Sequence, residues 1–571
     1  ETLEFSRNHI PRMAAVTTVV CAFGVSLILS LALCCGLGQL HAYGAHTRAQ
    51  ITIGIVFAHI VAAWIAAEVS SRLGPGIQVA VYEATRTAEA DIPPEVVGAA
   101  ADTKEVPVTN GTNGASADPR FEAKLNAALS SNLAAFRAAA EMVAVMALLY
   151  LCDRTNVIHR AEKVYNPTQF WAVCGIILVA ALLSLRKITD TKPLSREQTD
   201  EWKGWMQIMF LLYHYFEEKE VYNAIRIYIA AYVWMTGYGN FFLYRRGKSF
   251  TTRRTLQMLF RLNLLGCLVC VVLNNEYMLY YICAMHTLFT VFVLLAMYIL
   301  NRLNSSTKVL YAKVALTLLC TLLLYDGPDQ VFRAVFGTIP GVRQLFAFHD
   351  PLHPEFKDEM HEFHFRSGLD RFIWIIGMIY ALHFPNFEEG LAKISSMDLV
   401  KRVPLQLAML AVSLVIGFVW WHQVFVLDKY AYNKVHPYTS AIPLTIYLLL
   451  RNFTETLRTR YLYLFAYMGK VTLETYIFQF HIWMKTTGLN GSPKSLLEVI
   501  PGFYWANFVV ISAAYIFISI RFSNLTGVLR DALIPESLLD TTKIWGGLAL
   551  GVAYCWVLSW LYTMAHDGDG A

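Results

Sequence analysis

Apolar runs of roughly 17 to 25 residues recur along most of the chain, and they constrain its fold more than any other feature. A helix of that length matches the hydrocarbon core of a bilayer, whereas a single soluble core could hardly bury so many such runs. The composition agrees, because 56% of the 571 residues are hydrophobic and 16% are charged. We therefore predict an all-α polytopic membrane protein with about 13 to 15 transmembrane helices, and a soluble enzyme is excluded.

The predicted spans are separated by loops, and basic residues are concentrated in every other loop, which places them on one side of the membrane. The spans lie near 12–38, 51–68, 136–152, 169–186, 203–222, 225–244, 254–273, 279–300, 309–325, 371–386, 403–427, 441–457, 461–484, 499–520 and 543–565. Positive loops face the cytosol, which puts the segment 326–370 on the lumenal or external side. The net charge of +5 without a long Lys/Arg block excludes nucleic acid as a partner.

Composition divides the chain into three parts. Residues 1–75 are predicted to hold N-terminal transmembrane helices, and residues 76–135, which are rich in Ala, Gly, Thr and Asn, a flexible cytosolic loop. Residues 136–571 form the predicted multispan domain. Within it, the lumenal loop 326–370 concentrates ionisable and aromatic groups, which indicates a lid or an acceptor-binding segment. The chain begins with Glu1 rather than Met, so we expect its natural start to lie further upstream.

Ionisable side chains inside predicted spans indicate function, because each costs about 2.5 to 3.5 kcal/mol to insert into a membrane. In the span 203–222, Lys203, Gln207 and His214 are spaced by four and then seven residues, which places them on one helix face. His214 is therefore predicted to line a cavity, with a simple helix-to-helix hydrogen bond as the alternative.

Two other spans show similar spacing. Asn275 and His286 are eleven residues apart, about three turns, so they should share a face with His286 near mid-membrane. Lys470, Glu474 and His481 repeat the spacing of four and seven. Glu474 could neutralise Lys470, so a structural ion pair is an alternative to a functional role.

A neutral imidazole is well suited to remove a proton from a hydroxyl, which acyl transfer to a sugar requires. The chain has no G-x-S-x-G motif that would supply a serine nucleophile. In the lumenal loop, His361 and His364 belong to an H-E-F-H sequence, which is not the H-E-x-x-H spacing of a zinc site, so no metal is expected. Cys267 and Cys270 lie in LLGCLVCVVL and are predicted to pack or to face lipid.

Several long stretches closely resemble the reduced-wall-acetylation proteins of plants, which are similar to fungal capsule O-acetylation proteins and to the membrane part of the animal sialate O-acetyltransferase. They are LSREQTDEWKGWMQIMFLLYHYF, YNAIRIYIAAYVWMTGYGNF, RLNLLGCLVCVVLNNEYMLYYICAMHTLFT, HEFHFRSGLDRFIWIIGMIYA, HPYTSAIPLTIYLLLRNFT and GKVTLETYIFQFHIWM. The resemblance covers about residues 195–530.

The resemblance implies a multispan Golgi membrane protein that uses cytosolic acetyl-CoA to acetylate glycan hydroxyls in the lumen. It places the essential base on His214 and a further motif on His481. The donor phosphates are expected at the basic stretch of Arg253, Arg254 and Arg261, although a solvated positive loop is an equal alternative for 245–254. Either the protein transfers acetyl to the glycan itself, or it hands acetyl to a separate lumenal transferase.

The expected site residues follow from these arguments. The catalytic candidates are His214 and His286, and the donor-binding candidates are Lys203, Arg253, Arg254 and Arg261. The acceptor-binding candidates are Asn274, Asn275, Glu276, His361, His364, Arg366, Asp370, Arg371, Glu474 and His481. A transporter of acetyl-CoA or acetyl is the rival function, although no internal repeat supports it. A non-catalytic scaffold would leave the buried histidines unexplained.

Overall fold

A computed structural model describes residues 46–72, 126–188, 192–245, 252–339 and 341–567. The predicted span 12–38 and most of the predicted loop 76–135 lie outside the described residues. Residues 126–131 are helical, and another helix begins at Leu133, so the loop ends earlier than the composition predicts.

The described residues are mostly helical, as predicted. In the first half of the chain the helices are α1 Arg48–Arg72, α2 Leu133–Arg154, α3 Pro167–Leu183, α4 Arg196–Tyr215, α5 Tyr222–Arg245, α6 Thr252–Leu273 and α7 Tyr281–Tyr298. Short 3-10 turns cover Lys219–Val221, Tyr277–Tyr280 and Asn301–Leu303.

The second half alternates long and short helices. They are α8 Thr307–Tyr325, α9 Asp329–Thr338, α10 Val342–Phe346, α11 His361–Leu369, α12 Ile373–Ser396, α13 Leu399–Trp420, α14 Lys429–Thr439, α15 Ala441–Arg451, α16 Glu455–Arg458, α17 Tyr463–Met468, α18 Thr472–Phe478, α19 Tyr504–Leu533 and α20 Leu538–Asp567. Single π-helical turns cover Trp421–Phe425 and Gln479–Trp483.

Two small antiparallel sheets interrupt the predicted all-α fold. One has the order β1-β5-β4, with β1 His159–Glu162, β4 Met484–Thr486 and β5 Pro493–Glu498. The other pairs β2 Leu185–Lys187 with β3 Arg460–Leu462. These strands have three to six residues, too few for an alternating pattern to predict them.

The chain divides into two compact units. The first consists of Glu1–Ala147 and Leu525–Ala571, and the second of Leu148–Asn524. In the first unit, α1 packs against α20, and the Thr52 hydroxyl donates a 2.9 Å hydrogen bond to Ser559. The helix α20 thus packs against α1, whereas the domain boundaries predicted from the sequence place these two helices in different parts of the chain.

Eight helical stretches among the described residues are long and apolar enough to cross a membrane: α1, α2, α6, α7 with its preceding 3-10 turn, α8, α13 with the following π turn, α19 and α20. The helices α4, α5 and α12 have 20, 24 and 24 residues but are not among them. They carry charged and polar residues, such as Lys203, Arg226 and Asn386, which lower their mean hydropathy. The count of 13 to 15 spans stays a prediction.

A pair of glycines allows the backbones of α5 and α12 to touch. A Cβ atom at Gly237 of α5 would lie 1.9 Å from the carbonyl oxygen of Trp374 in α12, and one at Gly377 would lie 2.3 Å from that of Trp234. Only residues without a side chain permit this backbone approach. The contact fixes α5 against α12.

Two interruptions of helices contradict the prediction that certain polar residues share one helix face. Asn274 has a φ of 54°, a left-handed conformation that ends α6 before Asn275, whereas α7 begins at Tyr281. Asn275 and His286 therefore do not share a helix face, and the prediction was wrong. The common face of Lys470, Glu474 and His481 is wrong for a similar reason, because Lys470 precedes α18 and His481 lies in the following π turn.

Candidate active site

The candidate site lies at one end of the second unit, which we call the lid end. The helices α4 and α6 finish there, α5 and α7 begin there, and the segment 326–370, which we call the lid, covers it. At the opposite, basic end, Gln198 of α4 donates a 3.0 Å hydrogen bond to the Arg458 carbonyl, and Arg451 forms an ion pair with Glu201 at 3.1 Å.

His214 occupies the last turn of α4 and is partly buried. Its Nδ1 lies 3.2 Å from Oε1 of Gln479 in the π turn. The rings of Phe210 and Phe480 lie 4.5 and 6.0 Å from the imidazole, so its plane is held from two sides. Gln207, about two turns before His214 on the same helix face, donates a 3.1 Å hydrogen bond to the hydroxyl of Thr475, which lies just before the π turn.

The amide of Gln479 determines which nitrogen of His214 carries the proton. Its Nε2 donates a 3.0 Å hydrogen bond to the Tyr476 carbonyl, which leaves Oε1 directed at His214. An oxygen can only accept, so the Nδ1 of His214 donates and the neutral ring keeps its lone pair on Nε2. Within the described part of the chain, Nε2 makes no hydrogen bond, so it is available to accept a proton.

Two cations act on His214. Arg366 of the lid helix α11 donates from Nε to Glu362 at 2.7 Å, and its Cζ lies 4.8 Å above the ring of Tyr281. Its charge interacts with His214. Lys163 donates a 2.9 Å hydrogen bond to the His214 carbonyl, and burial lowers the pKa of its ammonium to about 8. The base candidate therefore lies in a positive environment that favours developing negative charge.

A buried ion pair fixes the end of the lid helix. Asp370 accepts a 2.8 Å hydrogen bond from Arg226 of α5, and its other oxygen lies 3.4 Å from Nε2 of His436. All three side chains are almost fully buried. Because a buried carboxylate needs such partners, the pair ties α11 to α5 and α14 and thereby positions Arg366.

His286 lies deeper in the unit than His214. Its Nδ1 is 2.7 Å from the hydroxyl of Thr236, which itself donates to the Tyr232 carbonyl at 3.3 Å. Thr236 is fourteen residues along α5 from Tyr222, about 21 Å from the lid end of that helix. His214 and His286 are thus held by different segments, His214 by Gln479 of the π turn and His286 by Thr236 of α5.

A second polar network at the lid end is completely enclosed. The Tyr280 hydroxyl lies 2.6 Å from Nε2 of His481, and Nδ1 of His481 lies 3.3 Å from Asp153, although the angle is not that of a hydrogen bond. Asp153 forms an ion pair with Arg154 and accepts a 2.8 Å hydrogen bond from the Thr486 backbone. Both nitrogens of His481 thus face polar partners.

Arg154 joins this network to the start of the lid-end loop. It donates to the Leu273 carbonyl at 3.0 Å and to Oδ1 of Asn275 at 2.7 Å. The amide nitrogen of Asn275 donates in turn to the Tyr280 hydroxyl at 3.2 Å. Asn275, Asp153, Arg154 and His481 are all buried. This closed network therefore connects α2, the loop after α6 and the π turn.

The lid is attached by an exposed contact. Glu276 accepts hydrogen bonds from the backbone of His349 at 2.7 Å and from its Nδ1 at 2.6 Å. The hydrogen bond and the charge of Glu276 raise the pKa of His349 above its usual value. At the other end of the lid, Arg371 donates to Asp326 at 2.7 Å.

Some predicted acceptor-binding residues pack within the lid. The ring of His361 stacks on Phe356 at 4.3 Å, and that of His364 lies 4.3 Å from Phe332. Neither ring contacts His214, and Asn274 takes the helix-ending position described above. Within the described ranges, no group of three or more His, Cys, Asp or Glu side chains is arranged to hold a metal ion.

The predicted donor-binding residues contact different partners. Lys203 is paired with Asp200 at 2.6 Å, whereas Arg261 donates to the Lys470 carbonyl at 3.4 Å. Glu474 interacts with Arg261 and with Ser523 rather than with Lys470. Arg253 and Arg254 lie in the first turn of α6 at the basic end.

Several residues of the site were missed by sequence reasoning: Asp153, Arg154, Tyr280, Gln479, Thr486, Arg226 and His436. Arg226 was detectable, because it is an ionisable side chain inside the apolar stretch YNAIRIYIAAYV. Asp153 and Arg154 end an apolar run, where charges normally mark the water interface. Gln479 gives no signal, since its role depends on a partner 265 residues away.

Apolar helices long enough to cross a membrane, with a polar site at their end, define the class as a multispan membrane protein. The chain belongs to the family of the 10 TM acyl transferase domain found in Cas1p, whose sequence model matches residues 84–544. The family predicted from the sequence is thereby confirmed.

A curated relative agrees with this family. The N-acetylneuraminate (7)9-O-acetyltransferase of Danio rerio is 30% identical over 412 residues, which cover 69% of this chain and 50% of the relative. The chain thus spans about half the length of that protein. No solved structure matches the chain significantly.

Proposed function

We propose that this protein is a glycan O-acetyltransferase of the Golgi membrane, which takes acetyl from cytosolic acetyl-CoA and transfers it to a sugar hydroxyl in the lumen. Membership of the acyltransferase family supports the reaction type, and the relative's name supports a sugar acceptor. The basic loops at the end opposite the lid support donor entry from the cytosol.

The observation that carries the proposal is the hydrogen bond from His214 to Gln479. It leaves the Nε2 lone pair of a partly buried imidazole unused at the lid end. A base held in one tautomer is prepared for proton transfer before the substrate arrives. His214 is therefore our candidate for the general base.

In the proposed reaction, Nε2 of His214 removes the proton of the acceptor hydroxyl as that oxygen attacks the thioester carbonyl. A tetrahedral intermediate forms with a negative oxygen, which the guanidinium of Arg366 stabilises. The carbon–sulfur bond then breaks, and His214 returns its proton to the thiolate. The products are the acetylated sugar and coenzyme A, so all atoms balance.

A variant of this mechanism passes acetyl through His214 itself. Nε2 would attack the thioester carbonyl, release coenzyme A and carry acetyl as an acyl-imidazole, and the sugar oxygen would then displace the imidazole. A separate lumenal transferase could receive the acetyl group instead. The match to half of the relative's length favours keeping this second candidate function, because the remaining half could act on the acceptor.

The test uses purified protein in detergent with radiolabelled acetyl-CoA and oligosaccharide acceptors. His214→Ala should lower acetyl transfer by about 10² to 10⁴-fold, the usual contribution of a general base. His422→Ala is the matched control, because His422 is exposed beside Phe418 on an apolar helix. Unchanged turnover of His214→Ala would remove His214 from the mechanism.

Two further arms separate the alternatives. His286→Ala tests the deeper histidine, and a larger loss there than in His214→Ala would transfer the role of base to His286. Labelled protein that accumulates without an acceptor indicates an acyl-imidazole, whereas product formed without such labelling indicates direct transfer. Acetyl-CoA consumption that requires an added lumenal transferase for glycan acetylation would favour the hand-off.

A further inference from the structure

A cavity of about 410 Å³ lies in the second unit, away from His214. Its walls come from α5, α12 and α15, with Leu194 before α4 closing one side. Leu448 and Leu449, which line it, belong to the last turn of α15. The cavity is therefore at the basic end, opposite the lid.

The crossing of α5 and α12 explains why space exists there. The two helices touch backbone to backbone through Gly237 and Gly377, and further along them large aromatic side chains such as Tyr238 and Phe384 keep the backbones apart. Beyond the crossing, Tyr238 stacks on Trp234 at 4.9 Å, and Tyr380 meets Trp234 edge-on at 5.6 Å. These rings support one another, so the wall of the cavity is preformed.

The polar groups of the lining are largely occupied by each other. The hydroxyls of Tyr380 and Thr445 are 2.6 Å apart, and His383 lies 3.0 Å from the Tyr311 hydroxyl. The remaining lining is mostly aromatic and aliphatic. A ligand with many amides, such as a pantetheine arm, would lose its hydrogen bonds to water there, whereas a hydrocarbon chain would not.

The cavity opens sideways rather than toward the active site. Ile379 is 37% exposed at its edge, and His383 and Asn386 are exposed. Thr236, which holds His286, is two residues before Tyr238 and so points to the opposite side of α5. A molecule in this cavity would therefore be separated from His286 by the helix itself.

A cation lies beside the opening. Arg245, the last residue of α5, donates from Nη1 to the Leu382 carbonyl at 3.0 Å, four residues before Asn386. A guanidinium near a membrane interface attracts phosphate groups. The combination of an apolar chamber and an adjacent cation fits a molecule with an anionic head and an alkyl tail.

We propose that the cavity binds one acyl chain of a membrane phospholipid, whose phosphate lies at Arg245. The chain exchanges one hydrocarbon environment for another, so the fit to the preformed wall and the contact of the phosphate with Arg245, rather than transfer from water, would hold the lipid. The site is separate from the proposed acetyl transfer. Its occupant would wedge α12 and α15 in their present positions beside α5.

The test is photolabelling in lipid nanodiscs with a phosphatidylcholine that carries a diazirine on one acyl chain, followed by mass spectrometry of the peptides. Label should appear on residues 379–387 and 445–449. Ile379→Trp should lower this labelling by about tenfold or more, the factor that corresponds to 1.4 kcal/mol. Leu414→Trp, on a 59% exposed position of α13, is the matched control.

Other arms keep the proposal falsifiable. Leu449→Trp fills the cavity from another wall and should lower the labelling as Ile379→Trp does. Elution as a monodisperse peak shows which variant is folded, and a folded variant suffices for the test if the other folds poorly. Labelling that neither variant changes would overturn the site. A diacylglycerol with the same photoreactive chain should label less than the phospholipid, and Arg245→Gln should remove that difference. Equal labelling by both lipids would overturn the assignment of the phosphate.

Discussion

Two histidines at the lid end differ in what surrounds them. His214 is partly buried, with one nitrogen bonded to Gln479 and the other available. His481 is fully buried, with Tyr280 at one nitrogen and Asp153 at the other. Both would look like base candidates from composition alone. The difference teaches that an unused lone pair on a partly exposed ring, rather than burial or a carboxylate neighbour, distinguishes a base from a structural imidazole.

The comparison predicts that the closed network is more important for stability than the open site. Asp153→Asn removes the charge that compensates Arg154, and leaving one partner of a buried ion pair typically costs about 3 to 5 kcal/mol. The free energy of unfolding, measured for the purified protein in detergent, should fall by that order. His214→Ala should cost much less, and equal losses in the two variants would break the comparison.

The same contrast between a tightly packed and an open position exists for two glycines of α5. Gly237→Ala forces a Cβ against the Trp374 carbonyl, and such overpacking typically costs about 1 to 3 kcal/mol. Gly239→Ala is the matched control, because nothing lies within 4 Å of its Cβ, so the better helix former should stabilise by up to about 1 kcal/mol. Thermal unfolding of both variants measures the difference. A stable Gly237→Ala protein would mean that the helices can move apart freely.

The tautomer argument predicts an effect on rate without one on folding. Gln479→Leu removes the acceptor for Nδ1 of His214, so a share of the imidazole carries its proton on Nε2 and cannot act as a base. We expect kcat for acetyl transfer to fall by about tenfold with little change in KM. Gln207→Leu, a buried glutamine that bonds Thr475, is the control. An equal loss in both variants would point to packing instead of the tautomer.

The smallest expected effect concerns the exposed attachment of the lid. Glu276 raises the pKa of His349, so the charged pair is present at low pH and is lost as pH rises through that raised value. Hydrogen exchange of residues 347–360 should therefore accelerate as the pH rises above about 6.5, the ordinary pKa of histidine, after correction for the intrinsic rate. Glu276→Gln should exchange quickly throughout. A lid whose exchange does not respond to pH would show that His349 does not hold it.

The fold was predictable from the sequence where it depends on interactions between residues that are close in the chain. Apolar runs located α6 and α7 within a few residues, because bilayer thickness sets helix length. The spacing of His214 and Gln207 gave one helix face correctly, since both contact the segment 475–479. The same rule failed for Asn275 and His286, because Asn274 adopts a left-handed conformation that interrupts the helix. The residue type alone does not predict this interruption.

The remainder of the site depends on contacts between distant segments. Asp153 and His481 are 328 residues apart, and nothing in either local sequence indicates that they meet. Arg226 gives a local signal, as an ionisable group inside an apolar run, but its partner Asp370 lies in the lid. An ionisable residue inside an apolar run can thus be identified from the sequence. The partner residues that determine its chemistry cannot be identified in that way.

The pairing of α1 with α20 has a consequence for biosynthesis. About 490 residues separate Arg48 from Leu538, so at about 5 to 20 residues per second a ribosome needs roughly 25 to 100 seconds to deliver the second helix after the first. During that interval the side of α1 that later meets Cys555 has to be covered by lipid or by a chaperone. Insertion of this protein therefore includes the capture of an early helix by a much later one.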